Sequence, residues 1–288
     1  MKKVLEIHKS SGQHWVGDGF PVRSLFSSQR FGDAISPFLL LDYGGPHEFQ
    51  PTRETLGVDE HPHRGFETVT IVYHGELEHR DSTGNHGRIG PGDVQWMTAA
   101  SGIMHEEKHA REFAERGGMF EMAQLWINLP AKFKASPPGY QTLLKRDIPV
   151  VNLANESGAL RVIAGNFQNV KGPARTFTPI NLWDLRVRAG RRAELNLPEG
   201  YTTLLVSLRG KSVLNGTEKI GEAELALFER EGESIIIEAQ EEATLLVLNG
   251  EPIDEPVFSY GPFVMNNSEE VRQAVLDYQT GRMGHISH

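Results

Sequence analysis

The sequence predicts a mainly all-β protein built from two tandem β-barrels, with one short helix near its C-terminus. Short apolar runs recur along the whole chain and are separated by turn residues, among 30 Gly and 16 Pro in 288 residues. Many short strands at near-regular spacing are typical of a sandwich or a barrel. The order strand, Gly, hairpin, strand, turn, strand occurs first from ETVTIVYHG and again from TTLLVSLRG. This weak internal repeat favours a duplicated barrel.

The elements of the first half follow from β-branched runs and turn chemistry. Strands are expected over residues 39–42, 67–73, 93–98, 103–108 and 122–129, with a polar hairpin after Gly75. The segment Pro130–Pro138 carries three Pro and no apolar periodicity, so we expect it to connect two domains. The resulting division gives one domain over residues 1–134 and a second over residues 135–288.

The second half repeats this pattern of short strands and ends in the one predicted helix. Strands are expected over residues 160–164, 182–187, 202–208, 224–228, 234–238 and 243–248. Asn267 or Ser268 can cap the helix, and Glu270 follows Asn267 by three residues, as in a capping box. An apolar stripe at helical spacing follows, and Gly281 is the expected stop.

Composition excludes several classes of function. Lys and Arg number 29 against 38 Asp and Glu, a net charge of −9, which argues against direct binding to nucleic acid or an anionic membrane, because both need a basic face. The absence of Cys excludes disulfides, iron–sulfur clusters, thiolate zinc sites and cysteine nucleophiles. No apolar run approaches the roughly 20 residues of a membrane span, and no signal-peptide core is visible. We therefore expect a cytoplasmic protein.

Histidine is distributed unevenly, with ten of the 12 His in the first 109 residues and none between residues 110 and 284. In a strand, residues of equal parity share a face, so His61 and His63 point the same way. On a later strand His105 shares its face with Glu107, whereas Glu106 points to the other side. Three imidazoles and one carboxylate suit Fe, Mn, Co, Ni, Cu or Zn. If the face of His61 points inward along the whole stretch, the imidazoles precede an apolar floor.

The two histidine motifs together resemble those of a cupin, in which separate strands of a small barrel supply the metal ligands. The stretches HPHRGFETVT, PGDVQWMTAASGIMHEE and QLWINLP, and the terminal GPFVMNNSEEVRQAVLDYQTGRMG, resemble more closely the pirin family. This resemblance implies a bicupin with metal in the N-terminal barrel, and its ligands fall on His61, His63, His105 and Glu107. Glu67, whose counterpart is often a ligand in other cupins, is then expected beside the ligands or in the pocket.

The remaining residues of these stretches have more ordinary expected roles. Arg64 is expected to form a salt bridge on the barrel exterior. Aromatic and apolar side chains near the ligands are expected in the pocket or the core, namely Phe66, Trp96, Met97, Met104 and Trp126. Alignment of SGIMHEE with ESIIIEA places Ile236 opposite His105 and Glu238 opposite Glu107. The second barrel is therefore expected to lack a metal and to have a structural or interdomain role.

The resemblance also implies an activity, that of a metal-dependent quercetin 2,3-dioxygenase, which opens a flavonol ring with O₂ and releases CO. One divalent transition metal per chain is implied, with Fe²⁺ as the family expectation, and Glu107 would serve both as ligand and as the base for the 3-hydroxyl proton. The alternative is a non-enzymatic, iron-binding redox sensor that binds a protein partner. A closed pocket favours the enzyme and a solvent-open metal favours the sensor. A cupin-type sugar isomerase fits the ligand set but not the pirin stretches.

Overall fold

The computed structural model describes residues 1–10 and 12–286, and this part of the chain is mostly β. In the first half the strands are β1 (Val4–Lys9), β2 (His14–Val16), β3 (Phe20–Ser27), β4 (Phe38–Phe49), β5 (Gly57–His63), β6 (Phe66–His74), β7 (Leu77–Asp81), β8 (His86–Ile89), β9 (Val94–Thr98), β10 (Ile103–His109), β11 (Gly118–Asn128) and β12 (Gly139–Leu143). In the second half they are β13 (Val150–Asn152), β14 (Gly158–Ala164), β15 (Asn166–Phe167), β16 (Val170–Lys171), β17 (Ile180–Val187), β18 (Arg192–Asn196), β19 (Thr202–Arg209), β20 (Ser212–Leu214), β21 (Glu218–Ile220), β22 (Glu224–Phe228), β23 (Ser234–Ala239), β24 (Ala243–Gly250), β25 (Phe258–Tyr260) and β26 (Phe263–Met265).

The helices of the described residues are α1 (Ser28–Phe31), α2 (Arg111–Arg116) and α3 (Ser268–Gln279). Short 3₁₀ turns lie at Gly32–Ile35, Ala131–Phe133, Lys145–Asp147 and Ala154–Glu156. Helix α3 begins as the sequence predicts, because the Asn267 side chain accepts a hydrogen bond from the Glu270 backbone N–H at 2.9 Å. The helix ends before Gly281, whose φ of +72° is the left-handed conformation expected of a stop.

The chain divides into two compact units that are not contiguous in sequence. One unit consists of residues 13–22 and 44–145 with the described part of 253–288, and it contains the histidine motifs of the first barrel; the other consists of residues 23–43 and 146–252 with the described part of 1–12. The contiguous domains 1–134 and 135–288 expected from the sequence therefore differ from these units at both ends of the chain. The N-terminal segment groups with residues 146–252, and the C-terminal segment groups with residues 44–145. Long-range pairing causes the difference at the N-terminus, where β1 lies antiparallel to β22. The expected connection Pro130–Pro138 lies within the first barrel, and Lys134 in it is buried.

Two sheets carry the strands that position the candidate site. A four-stranded sheet has the order β5-β10-β7-β8, and a seven-stranded sheet contains β12-β9-β6-β11. Apolar side chains of both sheets meet in one cluster, for example Leu77 and Ile89 from the first with Val72 and Met122 from the second. This apolar cluster fills one part of the barrel interior. The part near the histidines is lined by polar residues, which are described below.

The second barrel repeats this arrangement. A seven-stranded sheet of order β1-β22-β19-β24-β17-β14-β13 accompanies a four-stranded sheet of order β18-β23-β20-β21. Strands β6, β9 and β10 therefore correspond to β19, β22 and β23, as the internal repeat predicts. The interior of this barrel is filled by apolar side chains, among them Leu195, Leu205, Ile235 and Ile237, so it is a packed core.

None of the helices found in residues 1–10 and 12–286 combines the length and the apolar character that crossing a membrane would need.

Candidate metal centre

Strand pairing brings the three predicted histidines together. Strands β5 and β10 are antiparallel, with His105 directly opposite His61, and His63 lies two residues further along β5, opposite Ile103. The ring centroids are 4.2 Å apart for His61 and His105, and 4.8 Å apart for each of the other two pairs. One ring nitrogen from each histidine lies within 4.8 Å of the others. The parity argument for these three residues is therefore consistent with the geometry.

The hydrogen bonds of these rings leave nitrogen atoms available to a cation. His61 Nδ1 donates to the Asp59 carbonyl at 2.8 Å, which fixes the tautomer and leaves Nε2 as a free acceptor. His63 Nδ1 and both ring nitrogens of His105 are buried without a hydrogen-bond partner among the described residues. Buried polar atoms are normally paired, and a metal ion fits as the missing partner of one nitrogen on each of these two rings.

The electrostatics also suit metal binding, because imidazole binds a metal in its neutral form. Burial is the main cause that holds the pKa of His105 well below its usual range, and the neighbouring histidines lower it further. Burial likewise lowers the pKa of His63, with His61 as the second cause and the Pro262 carbonyl opposing both. The two rings are 0% and 4% exposed, so they are held neutral at physiological pH.

Glu107 lies beside this triad but in a second group. The register between β5 and β10 shifts between His105 and Glu107, so that Glu107 is opposite Val58 on β5 and opposite His79 on β7. Its carboxylate groups with His79 and His105, with potential ligand atoms within 4.8 Å of one another. His105 is common to both groups. The assignment of Glu107 as the fourth ligand accordingly stays a prediction.

The Glu107 carboxylate is oriented by neutral donors on the barrel floor. Gln95 Nε2 donates to Oε1 at 3.0 Å, and Gln124 Nε2 donates to Oε2 at 3.3 Å. Thr70 Oγ1 lies 3.0 Å from Oε1 and donates its one proton over the shorter distance of 2.6 Å to Gln124 Oε1. The floor beneath the histidines is therefore polar, and the expectation of an apolar floor was wrong. The reason is that the face of β6 that points inward carries Thr70, not the odd-numbered residues.

Gly65 explains this change of face. Its φ is +90°, a conformation that only glycine adopts without strain, and it separates β5 from β6, which lie in different sheets. Alternation therefore does not continue from His63 to Glu67. Glu67 is buried on the side of β6 opposite Thr70, where it accepts a hydrogen bond from Thr98 Oγ1 at 2.7 Å. The expectation that Glu67 lines the pocket is corrected, and burial raises its pKa to about 7.

His79 is the residue that the sequence analysis missed. Its Nε2 donates to Asp81 Oδ2 at 3.2 Å, and its Nδ1 accepts from Gln95 Nε2 at 3.2 Å. Its ring also stacks on Tyr140, with centroids 4.7 Å apart. The alternation of Leu77, His79 and Asp81 on β7, all buried, is a strand signal within the stretch interpreted as a polar hairpin. Because both ring nitrogens are engaged, His79 supports the Glu107 side of the centre through Gln95.

The aromatic and apolar residues near the motifs have different fates. Trp126 and Phe66 each lie 5.1 Å from the His63 ring centroid and 4.4 Å from each other. Trp126 is half-buried, so part of this side chain beside His63 is accessible to solvent. Met97 packs in a small cluster with Ile103 and Tyr140. Met104 packs against α3 and β26, and Trp96 has the parity opposite to Gln95 on β9 and is fully buried.

The second barrel offers no comparable set among its described residues, since both clusters of potential ligands lie in the first barrel. The inward residues of β23 are Ile235 and Ile237, one position away from the Ile236 and Glu238 named by alignment. A strand shifted by one residue presents its other face. The structural or interdomain role expected for this barrel stays a prediction.

Comparison with known proteins identifies the family. The pirin family model matches residues 19–127, and the model of the pirin C-terminal cupin domain matches residues 182–284. A Pseudomonas aeruginosa protein named “Putative quercetin 2,3-dioxygenase” is 56% identical over 282 residues, covering 98% of each chain. The human protein named “Pirin” is 34% identical over 256 residues, covering 87% of this chain and 83% of its own length.

A solved structure agrees over the whole chain. The crystal structure of quercetin 2,3-dioxygenase from Acinetobacter baumannii is 50% identical in sequence, with a TM-score of 0.97 and coverage of 100% of both chains. Both domain models are cupins of one family, and they account for the two barrels and for the histidine motifs of the first. The chain therefore belongs to the pirin family.

Proposed function

We propose that the first barrel holds one divalent transition-metal ion and catalyses the dioxygenation of a flavonol, as a quercetin 2,3-dioxygenase does. His61, His63, His105 and Glu107 would be the ligands. The observation that carries the proposal is the convergence of three imidazoles beside an oriented carboxylate, with buried ring nitrogens of His63 and His105 that have no partner among the described residues. The names of the relatives from Pseudomonas aeruginosa and Acinetobacter baumannii support the substrate class.

The donor set limits the metal to a class. Three imidazoles and one carboxylate, in a protein without Cys, suit several first-row metals, and Fe²⁺ is the ion we propose, with Mn, Co, Ni, Cu and Zn as the others the set accepts. These four side chains would hold the ion. The bound ion would supply Lewis acidity and one-electron chemistry.

Glu107 has the geometry of a general base. Gln95 holds Oε1 at 3.0 Å, whereas Oε2 carries only the longer bond of 3.3 Å from Gln124, so Oε2 is assigned as the oxygen that accepts the proton. In the proposed reaction it takes the proton of the flavonol 3-hydroxyl, which makes the substrate an electron-rich enolate able to react with O₂. One flavonol and one O₂ then yield one ring-opened ester and one CO.

The surroundings of the ligands suit an aromatic substrate. Half-buried His61 is the most accessible of the three imidazoles, and half-buried Trp126 stands next to the His63 ring. A flat aromatic ring that approaches from the side of His61 would stack or pack edge-on against Trp126. His105, at 0% exposure, would exclude bulk water from the opposite side.

The test is metal-dependent flavonol turnover. Purified protein with a titrated metal content is expected to consume quercetin and O₂ and to release CO in equal amounts. The double variant His61→Ala, His105→Ala should lose this activity, whereas His14→Ala, a change at an exposed histidine on β2, should keep it. Full turnover in the double variant would refute the assignment.

The regulatory alternative uses the same ligands. Here an Fe²⁺/Fe³⁺ change would alter the charge of the centre and thereby the affinity for a protein partner. The burial of His63, His105 and Glu107, all below 10% exposure, favours the enzyme, because a sensor needs its metal near the contacting surface. A partner whose affinity changes with iron oxidation state, in protein that lacks flavonol turnover, would favour the sensor.

A further inference from the structure

The turn Arg64–Gly65 follows the proposed ligand His63 directly and is bonded to the C-terminal arm, defined here as residues 253–286. The Arg64 backbone N–H donates to the Pro262 carbonyl at 3.2 Å, and the Val264 N–H donates to the Arg64 carbonyl at 3.0 Å. A parallel bridge joins Arg64 to Phe263 in β26. The arm is thus paired with the backbone at the exact end of the ligand strand β5.

A buried lysine, Lys134, also forms a hydrogen bond to this turn. Lys134 Nζ donates to the Gly65 carbonyl at 2.6 Å, to Asn128 Oδ1 at 2.7 Å and to the Val264 carbonyl at 2.8 Å. All three ammonium hydrogens can therefore be satisfied, although Lys134 is only 4% exposed. The lysine joins the ligand turn, the end of β11 and the arm at one point.

An ion pair makes the third connection. Arg64 Nη1 lies 2.6 Å from Asp277 Oδ2 on helix α3, and both side chains are largely buried, at 18% and 13% exposure. Arg282 Nη1 donates to the other oxygen of Asp277 at 3.0 Å. The predicted salt bridge of Arg64 is confirmed, and its partner belongs to the arm.

There is little free space at this contact. A Cβ placed on Gly65 would lie 1.9 Å from the Val264 carbonyl oxygen, so the arm touches the turn backbone itself. The Pro262 carbonyl also accepts a hydrogen bond from the His63 imidazole. A displacement of the arm would therefore move the turn and, with it, the ring of His63.

We propose that the C-terminal arm is a positioning element of the metal centre, and that it fixes His63 through Arg64, Gly65 and Lys134. This inference rests on the proposed metal ligands but not on the proposed reaction. Partners of metal-binding histidines outside the ligand set typically contribute 10- to 100-fold to metal affinity. Asp277 and Lys134 are the positioning residues it names.

The experiment measures Co²⁺ binding to the full chain, with Co²⁺ alone as the probe. Asp277→Asn removes the charge of the ion pair and keeps its shape, and Lys134→Met removes the three hydrogen bonds. We expect about 10-fold weaker Co²⁺ binding for the first and up to about 100-fold for the second, with an altered visible ligand-field spectrum. Asp277→Glu should restore both readouts toward wild type.

A matched control lies on the same helix. Glu269→Gln breaks the exposed ion pair of Glu269 with Arg272 and should leave Co²⁺ affinity and spectrum unchanged. If folded Asp277→Asn binds Co²⁺ with the wild-type affinity and spectrum, the inference is overturned, even if its thermal stability is lower. Weaker binding in Asp277→Asn by a protein that shows no flavonol turnover would support the inference and refute only the proposed reaction.

Discussion

Glu67 lies buried in a sheet without a cationic partner in its described hydrogen bonds, and its ionisation should therefore destabilise the protein. Burial raises its pKa from 4.5 to about 7, and the hydrogen bond from Thr98 opposes the rise. The native state thus binds this proton more tightly than the unfolded state does. The contribution to stability is present below the unfolded pKa and is lost as the pH rises toward 7. At about 1.4 kcal/mol per pH unit, the loss between pH 4.5 and pH 8 is about 3 kcal/mol.

The variant Glu67→Gln removes this titration and keeps an acceptor for Thr98. Urea unfolding of metal-free wild type and variant at pH 4.5 and pH 8 provides the assay. The stability of the variant relative to wild type should rise by about 3 kcal/mol between the two pH values, because contributions of other groups cancel in the difference. Thr98→Val, which removes one of the opposing hydrogen bonds, should raise the pKa of Glu67 further and enlarge the total loss of stability. An equal stability difference at both pH values would refute the reasoning.

Three further outcomes test other parts of the molecule. Gln95→Leu removes donors to Glu107 and His79, and we expect flavonol turnover to fall about 10-fold, as measured by CO release at saturating metal. Asp184→Ala removes the 2.8 Å ion pair of the buried Asp184 with Arg161 in the second barrel and should lower the free energy of unfolding by about 1.5–3 kcal/mol, as measured in urea, with unchanged Co²⁺ affinity. Asn267→Ala removes the cap of α3 and should cost about 1 kcal/mol, as measured by thermal unfolding.

The sequence predicts most of the fold because its signals are local. Strand β22 occupies the predicted residues 224–228, and α3 begins at the predicted cap. The grouping of the termini could not be predicted in this way, since the pairing of Val4 with Phe228 is long-range and leaves no mark in the composition of either segment.

In the candidate site, too, the sequence predicts the features that are local to one strand and misses those that depend on the connection between strands. Parity within one strand selects His105 together with Glu107, and strand register then brings His105 to His61. Parity fails where a strand is interrupted, which is why Gly65 places Glu67 on the other side of its sheet. His79 was missed because its strand is polar and short, and only the burial of alternate residues marks it as inward-facing.

Strand β1 has a protective consequence for the second barrel. It covers the outer edge of β22, whose sequence ELALF is wholly buried, and it presents charged residues such as Glu6 and Lys9 along the margin. Proteolytic clipping of the first dozen residues would uncover an apolar strand edge of the kind that recruits strands from other molecules. We therefore expect clipped protein to form intermolecular strand pairs and to precipitate, which size-exclusion chromatography before and after limited proteolysis would show.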